Sequence, residues 1–232
     1  MTVNRRAPAT RSRARSRAHK RRVTQAERRQ HTRRALLDAA LEQMDSGVSF
    51  DALSLRSVAR TAGVVPAAFY RHFQSMDELG LALVDESFHT LRSLLREARE
   101  SGLPPKHVIR RSVEVIVEQV LAHRQHFALI ARARTDGKTV LRHAVNNEIR
   151  LVTSELATDL ARFEAMREWT NEDLQMLAGL LVNTMILNVA AILDLPTNGG
   201  QPPPEALSEI VRVAEKQLRL PLLAVPNWRS TR

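Results

Sequence analysis

The sequence predicts an all-α fold: an N-terminal unit of three helices, two of them short and joined by a tight turn, followed by a C-terminal bundle of longer helices. Three observations predict it. Glycine and proline are scarce, at 8 and 10 of 232 residues, while Ala, Leu, Arg and Glu dominate, a balance that favours helices over a loop-rich β protein. Apolar residues recur at helical spacing, with no alternating strand pattern and no internal repeat. Capping residues and Gly/Pro breaks punctuate the apolar runs at intervals of one helix.

Residues 1–23 are an Arg/Ser/Ala tail (Arg11, Arg13, Arg15, Arg17, Lys20, Arg21, Arg22) with too little apolar surface to order itself, and it is expected to be disordered. Thr24 and Glu27 read as a capping box for a first helix carrying Leu36, Leu37, Ala40, Leu41 and Met44 and stopped by Gly47. Ser54 caps a short helix with Leu55, Val58, Ala59 and Ala62 inward, and Gly63 supplies the turn that ends it. Pro66 suits the first turn of the next helix, whose expected end is near His72. Ser75 and Glu78 open a long amphipathic helix through Leu79, Leu83, Phe88, Leu91 and Leu95 to about Glu100.

Beyond the break at 101–105, helices are expected over 108–122 and 127–133, with a turn at Asp136 and Gly137. Residues 140–166 read as one long helix. Thr170 and Asp173 cap an apolar helix ending near Asp194; a Pro/Gly/Asn loop over 196–204 leads to a last helix over 205–220 and an apolar tail, 222–228. The expected organisation is a tail (1–23), a first domain (24–74) and a second (75–228).

Charge is distributed unevenly. Thirteen of the 35 Lys/Arg side chains fall within the first 34 residues beside a single acid, Glu27, whereas the remainder carries 22 basic and 24 acidic residues. Basicity so localised implies a polyanionic partner, nucleic acid in the simplest case and a membrane surface in the second. Without cysteine, disulfides, thiolate metal sites and a cysteine nucleophile are excluded. The first 22 residues hold no apolar signal-peptide core, and a cytoplasmic location is expected. Residues 174–193 are nearly charge-free and long enough to span a bilayer, yet they contain Gln175, Asn183, Thr184 and Asn188 and are flanked by acids. A helix buried on most sides is the expected alternative.

Residues 54–73 have the grammar of a helix-turn-helix. A major groove admits one α-helix, so the second helix must present small or polar residues to base edges while the first spans the backbone. Pro66, Ala67 and Ala68 are small where approach is closest; Leu55, Val58, Phe69 and Phe73 are the apolar contacts expected to lock the pair. Arg33, Arg34, Ser54, Arg56, Tyr70, Arg71 and His72 are donors at its edges, suited to phosphates. The run Phe69-Tyr70-Arg71-His72-Phe73 resembles the sequence that ends the recognition helix in TetR-family regulators, a resemblance covering about residues 30–80. It implies a homodimer on a palindromic operator, with Tyr70 a phosphate contact and Gly63 the turn glycine. Many family members have Lys three residues after that Phe; Met76 stands here. That departure, residues 77–86, residues 217–220 and Trp228 are similar to the FabR/DesT-like repressors of unsaturated fatty acid synthesis, which implies a long-chain acyl-CoA as effector.

Such an effector would need an apolar tunnel and cations for its phosphates. The candidates are Arg132 and Arg134 with His126 nearby, against the plainer reading of solvated arginines at a helix end. Thr184 and Asn188 share a helix face and either line a pocket or fix dimer register. The tail either enters a minor groove or adds sequence-independent affinity by counterion release. Residues 136–139 end like a phosphate loop but lack its first glycine, with Arg132 in that place. No zincin spacing and no nucleophile elbow appear, so neither enzyme, metal nor cofactor is expected. The alternatives are a TetR-type repressor of an efflux or catabolic operon answering to a drug or unrelated metabolite, and a basic-tailed membrane-surface protein.

Overall fold

The structure, a computed structural model, describes residues 25–100, 105–135, 138–197 and 201–230. The predicted tail, the Thr24 cap and the turn at 136–137 lie outside the described residues. Among those described there is no strand, and nine α-helices follow one another: α1 (Gln25–Asp45), α2 (Leu55–Thr61), α3 (Pro66–Phe69), α4 (Met76–Glu100), α5 (Pro105–Ala122), α6 (Arg124–Thr135), α7 (Thr139–Leu160), α8 (Asn171–Leu193) and α9 (Pro204–Leu223). Short 3₁₀ turns sit at Phe50–Ala52, Glu164–Met166 and Val225–Asn227.

Several boundaries follow from caps that the sequence announces. Ser54 and Ser57 form a reciprocal capping box at the start of α2, and the Thr170 hydroxyl accepts from the Asp173 N–H at the start of α8. The Glu78 N–H donates to Ser75 Oγ at 3.2 Å before α4. Two helices end short of expectation, while α5 and α6 begin earlier than expected, at Pro105 and Arg124, and α9 runs on to Leu223. α3 ends at Phe69 and not near His72, because Arg71 and His72 turn back to Ala68 and Phe69 through three-residue hydrogen bonds. The expected helix over 140–166 stops at Leu160: Phe163 is extended, and the chain turns so that Met166 is buried with Leu160, Leu174 and Leu177.

The hydrophobic core does not break at residue 74. Leu36, Leu37 and Ala40 of α1 and Val58, Phe69 and Phe73 of the short-helix pair share one cluster with Leu79 and Leu83 of α4, Leu129 and Ala133 of α6, and Leu141 and Val145 of α7. At the centre of this joint is Gly80. A Cβ there would lie 2.6 Å from Phe50 Cζ and 2.9 Å from Leu141 Cδ2, both side chains being buried. Only a glycine lets α4 pass between a ring of the N-terminal unit and a leucine of α7. Ala at this helical position gains about 1 kcal/mol of propensity, but overpacking a filled core costs about 1–3 kcal/mol. Gly80→Ala is therefore expected to lower the melting temperature by roughly 2–4 °C for each net kcal/mol lost, read by thermal circular dichroism.

Helix α8 is long and apolar enough to pass for a membrane span, but it packs on α7, α9, α5 and α6. Leu174, Leu177, Ala178, Leu181, Asn188 and Ile192 are buried. It is not covered on most sides as expected: Met176, Leu180 and Leu187 form an exposed stripe, with Leu187 71% accessible. Arg124, the first residue of α6, holds its C-terminal end by donating to the carbonyls of Ile192, Leu193 and Leu195.

Candidate nucleic-acid interface

The interface is assembled from the inside outward. Phe69 and Phe73 are fully buried with ring centroids 5.6 Å apart, and Val58 and Ala59 of α2 are buried with them. Gly63 has φ +67°, the left-handed conformation that L side chains resist, and lets α2 turn into α3 within four residues. Val65 is extended and Pro66 follows as the first helical residue. Val64 packs against the core, so its neighbour Val65 points away and is 67% accessible. Pro66 and Ala67 are exposed beside it, and Tyr70, 64% accessible, rests edge-on against Phe69. The short-helix pair therefore offers one outward face of Val65, Pro66, Ala67 and Tyr70, with Ala68 half-buried at its edge.

Cations rim this face. Arg33 of α1 lies over the Phe73 ring at 5.0 Å, a cation–π contact that orients its guanidinium beside the turn at 70–72. Arg56, Arg60 and Arg71 are exposed. His72 is half-buried, with Nδ1 enclosed and without a partner; desolvation first, then Arg29, Arg33 and Arg71, holds its imidazole below the ordinary histidine range. Ser54 serves as the α2 cap, accepting from the Ser57 N–H at 3.1 Å. Arg34 is placed differently from the other expected donors: its guanidinium contacts Asp38 at 2.8 Å and Glu86 of α4. Sequence reasoning overlooked Val65 and Arg29. The signals were there, in a second valine beside an inward Val64, and in an arginine one helical turn before Arg33.

An outward face of this kind edged by arginines suits the groove of duplex nucleic acid. Residues 36–83 match the family model of the bacterial regulatory proteins of the tetR family. Over those residues the unit is similar to the DNA-binding part of that family. The TetR-type fold extends through the chain. A putative TetR-family transcriptional regulator from Mesorhizobium loti is 15% identical, covers 85% of this chain and 98% of its own, and superposes with a TM-score of 0.64. A TetR-like transcriptional regulator from Rhodococcus sp. RHA1 is 20% identical over 87% of this chain and 99% of its own, TM-score 0.62. The fatty acid degradation regulator FadR from Bacillus halodurans is 14% identical over 86% and 97%, TM-score 0.65.

Behind the TetR-type unit, the five expected effector residues do not share one set of partners. His126 Nδ1 lies 2.6 Å from Ser87 Oγ of α4. Because the Ser87 hydroxyl donates to the Leu83 carbonyl at 2.7 Å, the imidazole N–H donates to Ser87. Arg132 and Arg134 occupy the last turn of α6. The Thr184 hydroxyl donates to Leu180 O of its own helix, and Asn188 donates to Thr184 O and to Gln217 Oε1 of α9. Asn188 thus faces a groove of about 270 Å³ between α8 and α9, lined also by Leu187, Ile210 and Val213.

Burial lowers the His126 pKa; Glu86 and Asp38 pull it up, while His123 and Arg34 push it down. With the folded value below the ordinary one, the unfolded chain binds the proton more readily. This contribution to stability is present above the ordinary histidine pKa and is lost as pH falls through it toward the folded value. The melting temperature is expected to drop between pH 7.5 and 5.5, and His126→Asn, which keeps a donor toward Ser87, is expected to shrink that drop. An unchanged drop in the variant would place the titration elsewhere.

Proposed function

We propose that the chain is a cytoplasmic, homodimeric transcriptional repressor that binds a palindromic duplex and is controlled by a small apolar effector. The observation that carries it is the outward face of Val65, Pro66, Ala67 and Tyr70 held on a buried Phe69/Phe73 base and rimmed by Arg33, Arg56 and Arg71. Arg33, Arg56, Tyr70, Arg71 and the Ser54 hydroxyl are the phosphate donors in this reading, with His72 beside them; Arg34 joins them only by leaving Glu86. Two-fold symmetry supplies the second recognition helix.

The dimer face is the outer surface of α8 and α9. Met176, Leu180 and Leu187 on α8 and Leu220 and Leu223 on α9 are exposed large apolar side chains at helical spacing, and a lone chain rarely leaves such a stripe uncovered. Leu187→Glu with Leu220→Glu is expected to give a monomer by sedimentation and to weaken duplex binding, because the paired half-site contacts are lost.

For the effector, a long-chain acyl-CoA is the reading supported by the resemblance to FabR/DesT-like repressors and by the structural likeness to the Bacillus halodurans fatty acid degradation regulator. His126, Arg132, Arg134, Thr184 and Asn188 are the residues proposed to serve it. Helix α4 transmits the change in spacing between the two DNA-binding units, since Arg34 of α1, His126 of α6 and Lys138 before α7 all contact it, at Glu86, Ser87 and Asp77.

The test has two parts. Protected DNA upstream of the neighbouring genes is mapped, and operator affinity is then followed while acyl thioesters of graded length and saturation are titrated. Failure to protect any duplex removes the regulator reading. Protection that no thioester alters removes only the acyl-CoA reading and leaves a drug or other metabolite as effector. Binding to anionic vesicles that survives Tyr70→Ala and Ala67→Asp, without any duplex binding, would favour the membrane-surface alternative.

A further inference from the structure

We propose that Val65 and Ala67 read the operator through the C5 methyl groups of thymine, so that the half-site is selected by methyl position and not by a hydrogen-bond code. The inference rests on the DNA-binding reading above and names the chemistry of the base contact.

The four residues at the start of the recognition helix, Val65, Pro66, Ala67 and Ala68, carry no side-chain donor or acceptor, and Pro66 has no N–H. The Ala68 N–H is already bonded to Val65 O at 2.8 Å. A major groove distinguishes base pairs by donors, acceptors and one apolar feature, the thymine methyl. With the Tyr70 hydroxyl of this face assigned to phosphate, the side chains of Val65, Pro66, Ala67 and Ala68 are left with that apolar feature alone.

Two further observations support the assignment. Val65 is 67% accessible although its neighbour Val64 packs inward, so a β-branched apolar side chain is held outward at the position of closest approach. At the end of α2 the Thr61 hydroxyl accepts from Gln43 Nε2 of α1 at 3.0 Å, which turns it toward α1. The exposed donors Arg33, Arg56 and Arg71 lie at the rim, where phosphates run. Register is thereby set by cations at the edges, and sequence by apolar contact at the centre.

The experiment uses the full chain. Duplexes are selected from a randomised pool, and each thymine of the recovered half-site is replaced by deoxyuridine, which differs only in lacking the methyl. Burial of one methyl corresponds to about a fourfold change in affinity, so symmetric replacement in both half-sites is expected to weaken binding roughly tenfold or more at one or two positions. At those positions, exchanging T·A for C·G is expected to weaken binding, and 5-methylcytosine to restore part of it. In Val65→Ala or Ala67→Gly the deoxyuridine penalty is expected to shrink.

The outcomes separate the two levels of the reading. If no duplex is recovered, the DNA-binding proposal falls and this one with it. If duplexes are recovered and deoxyuridine is tolerated everywhere, the methyl readout is overturned while DNA binding stands. A penalty that persists unchanged in both variants would also overturn it, because the methyl would then be sensed by another part of the chain.

Discussion

Ala67→Asp is expected to weaken duplex binding by about a hundredfold or more while leaving the melting temperature within a few degrees of the parent. Ala67 is exposed in the first turn of α3, where an added carboxylate meets no packed neighbour and an acidic side chain is tolerated by the helix start. Stability therefore has no reason to fall. In the groove the same carboxylate would face rows of phosphates and base-edge acceptors without a compensating donor. A spoiled contact in a half-site costs about 1–3 kcal/mol, and a dimer on a palindrome meets it twice. Fluorescence anisotropy with the selected duplex at one fixed salt concentration measures the first effect, and circular dichroism the second. A variant that binds within threefold of the parent would show that this face does not enter the groove.

The largest stability effect is expected from Phe69→Ala. Phe69 is fully buried, packed at a tilt against Phe73 with ring centroids 5.6 Å apart, and touched edge-on by Tyr70. Truncation of such a ring costs about 3–5 kcal/mol, part of it in the cavity left behind. For a chain of this size that amounts to a fall of roughly 10 °C in melting temperature, more if the N-terminal unit melts separately. The loss would also release the two groups the ring supports, Tyr70 on the outer face and Phe73 beneath Arg33. Duplex binding should vanish together with stability, in contrast to Ala67→Asp. Phe69→Leu, which refills most of the volume, should recover a large share of both; equal damage from Leu and Ala would mean that packing at this ring is not what holds the unit together.

The architecture of the N-terminal unit was legible because its signals are local. Ser54, Gly63, Pro66 and the apolar positions 55, 58, 69 and 73 act within a few residues of one another, through caps, a positive φ and helical periodicity. Ends of helices set by distant packing were not legible. Residues 161–166 contain neither Gly nor Pro, yet α7 ends at Leu160 so that Met166 reaches the α8 cluster. The chain carries no local mark of that demand.

The candidate site divides along the same line. Composition and spacing placed the small residues 66–68 on the recognition helix, and Tyr70 and Arg71 with them, although these two stand in the turn after the helix ends at Phe69. They read Arg34 as one more basic donor, whereas Glu86, 52 residues later in the chain, is its partner in the fold. Equally, Gly80 looks like an unremarkable helical glycine until Phe50 and Leu141 are seen on either side of it.

Sequence alone determined that this protein is helical, that its basic residues cluster at one end, and that residues 54–73 make two short helices about a glycine turn, because each rests on interactions within one helical turn or one cap. Tertiary structure decided which valine faces outward, which arginine is tied to α4, and how the effector candidates are dispersed over α6 and α8. Those outcomes depend on surfaces that become neighbours only when the core shared by α1, α4, α6 and α7 closes.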